Sequence, residues 1–271
     1  MVGKKSIGNE ILSIMKSAII VIGIGEIGSV IARGFLRLGK PVIPIVRNSD
    51  IEAVARANPE PELVVVAVGE GALQASLESL PNQWRDRVVL LQNELLPSSW
   101  ANHDLTDPTV ISIWFEKKKG QDSKVLIPSP AYGRHAQKLQ DALGTLEIPV
   151  RVLADDTELL FELVVKNLYI VTTNVAGLKV GGNVGELQTQ HESFMLDVVE
   201  DVLAIQTALT GCEFDKNKLV DAMRTAVDAD PEHKCMGRSA PARLKRALEQ
   251  AEAANLDVPT LKAIAALQES T

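Results

Sequence analysis

Lys166 is the only charge in LVVKNLYIVTTNVAGL, residues 163–178, a run that is apolar nearly all round. A helix of that composition is buried, and lysine is almost never buried without a partner or a task. Desolvation disfavours an ammonium and loosens its proton, which suits a general acid. Ketone reduction needs one, because hydride goes to carbon while a proton must reach oxygen. Thr173 and Asn174 follow about two turns on, roughly on the same side of a helix as Lys166. They could bond a substrate or orient the lysine. The other reading of Lys166 is a boundary lysine whose stem lies on apolar surface and whose ammonium reaches water.

A second chemical feature is GIGEIG, residues 23–28, set between an apolar run and an amphipathic segment. In the G-x-G-x-x-G pattern the first glycine permits a tight turn and the second lets backbone approach a pyrophosphate. The third allows close contact between helix and strand. Gly23, Ile24, Gly25, Glu26, Ile27 and Gly28 would then line the phosphates, with N–H groups of the helix N-terminus turned toward them. The alternative is a tight strand–helix turn that has lost its ligand. Arg47 stands about 20 residues further on, where an NAD enzyme places an acidic residue on the ribose. A guanidinium pairs bidentately with phosphate and points to NADP(H) as cofactor; the alternative is a surface arginine in a loop. Asn93 follows a strand-like run in VVLLQNELLP. Ligands of doubly wound sheets bind at strand carboxyl ends, so Asn93 could bond a carbonyl oxygen or the nicotinamide; it could equally serve a turn.

These residues need a sheet and a helical partner to position them. Short β-branched runs at 18–22, 42–46, 63–68, 88–92, 110–114, 125–127 and 150–153 alternate with helical stretches such as 29–38, 73–80 and 134–143. That alternation marks a mostly parallel sheet covered on both faces. Pro44 sits inside a strand expected to be internal, which predicts a bulge there. After about Asp155 the strand signals stop. Helical patterns follow at 157–176, 185–209, 215–227 and 241–254, with a last piece from Pro259. The expected architecture is an α/β Rossmann-type dinucleotide-binding domain over 17–154 and an all-helical domain over 155–271 for substrate and dimerisation. Residues 1–16 form an extension or short helix before the first strand.

Composition bounds the rest. Of the 271 residues 46% are hydrophobic and only 4% aromatic, enough for a sizeable core built from aliphatic residues. No apolar run reaches the roughly 18 residues of a membrane span, and the start lacks the features of a signal peptide. Residues 151–271 hold 12 Lys and Arg against 19 Asp and Glu, the whole of the net charge of −7. That acidic half argues against nucleic-acid binding. Lys117, Lys118 and Lys119 read as a solvated loop. Two separated cysteines, Cys212 and Cys235, suit a reduced cytoplasmic protein. His233-x-Cys235 lacks a second ligand pair, so no metal is expected.

Together these segments resemble the 2-dehydropantoate 2-reductase (ketopantoate reductase) family. The pieces are GIGEIG, LLQNELL around Asn93, KNLYIVTTNVAGLKVGGNVGEL from Lys166 to Leu187, and the tail AEAANLDVPTLKAI. The resemblance covers most of the chain. It implies an NADPH-dependent reductase acting on a small 2-oxo acid, by extension a place in pantothenate synthesis. It implies Lys166 as general acid, Asn93 placing lysine and nicotinamide, and Asn174 binding substrate hydroxyl or carboxylate. The chain departs from the family at Ile170, where another Asn is usual, at Gly69-Glu70, where a lysine is common, and at Glu94, where glycine is preferred. The family's late glutamate has no clear counterpart; Ser239 or Arg243 could occupy its space. A reductase of an imine-type substrate and a non-catalytic dinucleotide sensor or scaffold stand as alternatives, and a homodimer is compatible with the apolar helical half.

Overall fold

The computed structural model describes residues 17–269, so the 1–16 extension lies outside the described residues. The chain divides into two compact units. One comprises the residues up to Gln92 with His103–Leu153, the other Asn93–Asn102 with the chain from Ala154 onward. Residues 93–102, which the expected boundary places with the sheet, group with the helices.

The strands in chain order are β1 (Ile19–Ile22), β2 (Val42–Ile45), β3 (Leu63–Val66), β4 (Val88–Leu90), β5 (Thr109–Ile111), β6 (Phe115–Glu116), β7 (Lys124–Val125), β8 (Ser129–Tyr132) and β9 (Val150–Val152). Seven of them form one sheet in the order β2-β1-β3-β4-β5-β8-β9, and β6 and β7 form a separate hairpin. All pairings of the large sheet are parallel except β5 with β8. β1 and β3 are buried along their whole length, which explains runs such as IIVI and LVVV with no polar alternation. Helices α1 (Glu26–Arg37), α2 (Ile51–Ala57), α3 (Glu70–Glu78) and α4 (Ala136–Gly144) complete this unit. α1 and α4 pack closely: a Cβ on Gly34 would lie 2.6 Å from the Ala142 carbonyl oxygen.

β2 is the sheet edge, and this corrects the reading of Pro44. Its register with β1 runs unbroken through Val21↔Pro44, and an edge strand tolerates a missing N–H without a bulge. The run 110–114 ends its ladder at Ile111, and the Trp114 N–H turns to the Ser129 hydroxyl at 2.9 Å. β8, flanked and filled by Pro128 and Pro130, is a strand that its prolines conceal.

The second unit is helical: α5 (Asp156–Val180), α6 (Val184–Gln190), α7 (Glu192–Thr210), α8 (Lys216–Ala229), α9 (Ala240–Ala253) and α10 (Pro259–Glu269). α5 is the central element and packs against each of the other five. It starts at Asp155, whose side chain accepts from the Glu158 N–H, and ends at Gly181 with φ +67°. By length and composition α5 is apolar enough to cross a membrane, contrary to the sequence reading, but 78% of its most apolar window is buried inside the protein. The single helix expected over 185–209 is two, broken at His191. α6 is fixed separately by a capping box in which Asn183 and Glu186 exchange hydrogen bonds with each other's backbone.

Near the start of β3, Glu62 receives Lys40 at 2.6 Å and Lys138 at 2.9 Å. Burial pushes its carboxyl up, but the two lysine hydrogen bonds and charges outweigh this and leave it below the usual range. A lowered folded-state pKa contributes stability above the unfolded value and loses it as pH falls. Glu62→Gln should therefore cost about 1 kcal/mol at pH 7. Urea unfolding of both proteins should show the gap closing as pH drops below about 4.

Candidate functional site

The glycine turn lies where the sheet order reverses. β1 is flanked by β2 on one side and β3 on the other, and the crevice at such a switch point is where doubly wound sheets bind ligands. The Gly23 N–H donates to the Ile45 carbonyl at 3.0 Å, and the Ala67 N–H to the Ile22 carbonyl at 2.7 Å. Gly23 has φ +90°, and a Cβ there would lie 2.7 Å from the Ala67 carbonyl oxygen. A Cβ on Gly28 would lie 2.1 Å from the Gly23 carbonyl oxygen. Both glycines are thus required by the fold. Gly25 is different: it has an ordinary φ of −70° and its Cβ would meet nothing within 4 Å. It is the N-cap of α1 and gives no side-chain cap, so N–H groups of the first turn are left to water or a ligand. A glycine that packing does not require, at an uncapped helix start, fits the close approach of a pyrophosphate.

Ile24 and Glu26 are exposed, and Ile27 is half-buried against the core below the turn. Glu26 does not stand as a bare negative charge, because the Lys117 ammonium lies 3.8 Å away. Lys117, read from sequence as part of a solvated run, is held by the carbonyls of Lys118 and Gln121; Lys118 and Lys119 are exposed. Arg47 is exposed in the turn after β2 and has no hydrogen bond or ion pair among the described residues. That turn is fixed by Ser49, whose hydroxyl accepts from the Val46 N–H at 3.0 Å. At the end of β4, the Gln92 amide donates to the carbonyls of Val66 and Val68 at 2.8 and 3.0 Å.

In the helical unit Lys166 is buried at 7% exposure, its ammonium 5.9 Å from the centre of the Tyr169 ring. The next residue, Asn167, donates to the Leu163 carbonyl at 2.9 Å and to the Leu95 carbonyl at 3.1 Å. It thereby ties the segment carrying Asn93 and Glu94 to α5. Asn93 is half-buried. Glu94 is the junction of the cluster: it accepts from Arg246 Nε at 2.9 Å, also meets Arg246 Nη2, and pairs with Arg243 Nε at 3.0 Å. Arg243 Nη1 donates to Asn174 Oδ1 at 2.9 Å, while Asn174 Nδ2 donates to the Cys235 carbonyl at 2.9 Å.

Asn174 therefore has both ends of its amide engaged by protein. Thr173 donates its hydroxyl to the Tyr169 carbonyl at 2.7 Å, within its own helix. Ser239 is exposed at the start of α9 and makes no cap. Of the two residues considered for the late position, Arg243 joins Asn174. Asn167 and Arg246 are the members of the cluster with no local sequence signal, apart from the i and i+3 spacing of Arg243 and Arg246 on one helix face. Cys235 is fully buried, with burial first and the Glu186 charge second pushing its thiol up to about 11. Its segment is stitched to the start of α6 by Val184 N–H to His233 O and Cys235 N–H to Gly182 O.

No family model and no curated protein sequence matches the chain. Solved structures do. A 2-dehydropantoate 2-reductase from Methylococcus capsulatus superposes with a TM-score of 0.67 at 14% identity, covering 93% of this chain and 96% of that one. The fold is that of the ketopantoate reductases. A dimeric ketopantoate reductase from Staphylococcus aureus gives 0.63 at 16% identity, over 93% of this chain and 98% of that one. D-mandelate dehydrogenase in complex with NADH gives 0.64 at 12% identity, over 93% and 98%. The likeness takes in both the mostly parallel sheet and the helical part of the chain.

The steric contrast in the turn is testable on stability alone. Gly28→Ala should lose about 2 kcal/mol or more through forced displacement of the Gly23 backbone. Gly25→Ala should lose about 1 kcal/mol or less, the cost of a poorer N-cap residue. Chemical denaturation of the two variants reads the difference directly.

Proposed function

We propose that this chain is a nicotinamide-dinucleotide-dependent reductase of a small 2-oxo acid, with NADPH as the preferred cofactor and Lys166 as proton donor. The observation that carries the reading is Gly25, open to solvent at an uncapped helix start at the sheet's switch point. Gly23 through Gly28 would hold the pyrophosphate, and the exposed, unpaired Arg47 would take a 2′-phosphate. When bound, the nicotinamide supplies the hydride. Lys166 supplies the proton to the developing alkoxide from its buried position on α5. Asn93 orients the reacting groups.

The fold likeness to ketopantoate reductases and to an NADH-bound dehydrogenase supports this reading. The dimeric ketopantoate reductase among the similar structures supports a homodimer here as well. Two free cysteines suit a reducing compartment such as the cytoplasm. A non-catalytic dinucleotide-binding role is the second reading, favoured by the engagement of Asn174 at both ends of its amide.

Fluorescence titration should show NADPH binding to the wild type. Arg47→Ala should weaken NADPH at least about tenfold and leave NADH within about threefold. Gly25→Val should abolish binding of both without loss of cooperative unfolding. With a panel of 2-oxo acids, Lys166→Met should lower kcat by roughly 10²- to 10⁴-fold while the NADPH Kd stays unchanged. Full turnover in Lys166→Met would remove its assigned role. NADPH binding without turnover on any panel member would favour the second reading.

A further inference from the structure

We propose that Arg243 is the residue that reads the substrate's carboxylate, with Glu94 and Asn174 as its positioning residues. The inference rests on the 2-oxo acid reading above and deepens it. Arg243 is buried at 7% exposure on α9. Its guanidinium is held from two directions: Nε faces Glu94 at 3.0 Å, and Nη1 donates to Asn174 Oδ1 at 2.9 Å. Nη2 has no hydrogen-bond partner among the described residues. Nε is itself buried without a well-aligned hydrogen bond despite its nearness to Glu94, and a guanidinium of fixed orientation with its Nη2 N–H groups open matches the planar geometry of a carboxylate.

The neighbours exclude the simpler assignment. Asn174 spends its oxygen on Arg243 and its nitrogen on the Cys235 carbonyl, so it presents the guanidinium instead of the amide. Glu94 is shared with Arg246, and a carboxylate divided between two guanidiniums leaves each of them less neutralised than an exclusive pair would. Arg243 is also anchored to the same helix that carries Lys166, through Asn174. Anion recognition on α9 is thus tied by a hydrogen bond to the helix that carries the proton donor.

The discriminating comparison is a branched 2-oxo acid against its methyl ester, which keeps the ketone and removes the negative charge. The wild type should prefer the acid. Arg243→Met should lower kcat/KM for the acid roughly 10- to 100-fold and change the ester less than about threefold. Arg243→Lys, which keeps the charge and loses the fork, should fall between them. Equal losses on acid and ester, or an acid preference preserved in Arg243→Met, would overturn the assignment while leaving the reductase reading intact. Thermal melts accompany each variant, and if Arg243→Met does not fold, Arg243→Lys carries the comparison. Calorimetric titration with oxamate, independent of turnover, covers the case in which no 2-oxo acid is reduced. Binding by the wild type and its loss in the variant support the anion site; no binding by the wild type, or equal binding by both, overturns it.

Discussion

Glu94 is one carboxylate between two guanidiniums, and the order of the helical unit's polar interior depends on that sharing. Its side chain is only 12% exposed, so the charge must be compensated by protein, and removing either side of such a buried pair leaves an uncompensated ion. Glu94 reaches Arg246 and Arg243, Arg243 reaches Asn174, and Asn174 reaches the Cys235 carbonyl. The chain of contacts joins the 93–102 segment, α9, α5 and the loop before α9. Asn167 closes it from the other side by bonding the Leu95 carbonyl. Glu94, Arg243 and Asn174 are each held by two partners, which fixes their positions relative to one another.

The glycine turn is organised by sterics, not charge. Gly23 and Gly28 allow β1, α1 and the strand end at Ala67 to approach within distances that no Cβ would permit. This brings the start of α1 into the crevice of the sheet. Gly25 then stands at the apex with nothing opposite it, and the uncapped first turn offers donors there. Lys117 offsets the one negative side chain of the turn, so Glu26 does not cancel the positive end of the helix.

The parallel strands were legible because a strand buried on both faces must be apolar throughout, as IIVI and LVVV are. Pro44 misled in one respect: sequence gives a strand's composition but not its place in the sheet, and β2 lies at the edge. β8 was hidden by its prolines, and the break at His191 had no glycine or proline to announce it. Within the site, Lys166 was visible as a lone charge in an apolar helix. The ion pairs of the same unit were not, since Glu94 and Arg246 are separated by 152 residues in sequence and no local spacing encodes such a pair. Thr173, singled out by its spacing from Lys166, bonds within its own helix, and Ser239, a candidate for the late position, is exposed.

Lys166, Ile170 and Asn174 follow one another at intervals of four and form a stripe along α5. The middle position is apolar, where the resembled family carries a third polar residue. An apolar spacer lowers the local dielectric between the two polar ends, and electrostatic interactions there are stronger than they would be across water. It also supplies no hydrogen bond to a neutral hydroxyl. Under the proposed 2-oxo acid reading, a substrate meeting this stripe would be selected less by its hydroxyl groups than by its charge, and among the described residues the cation hydrogen-bonded to Asn174 is the guanidinium of Arg243.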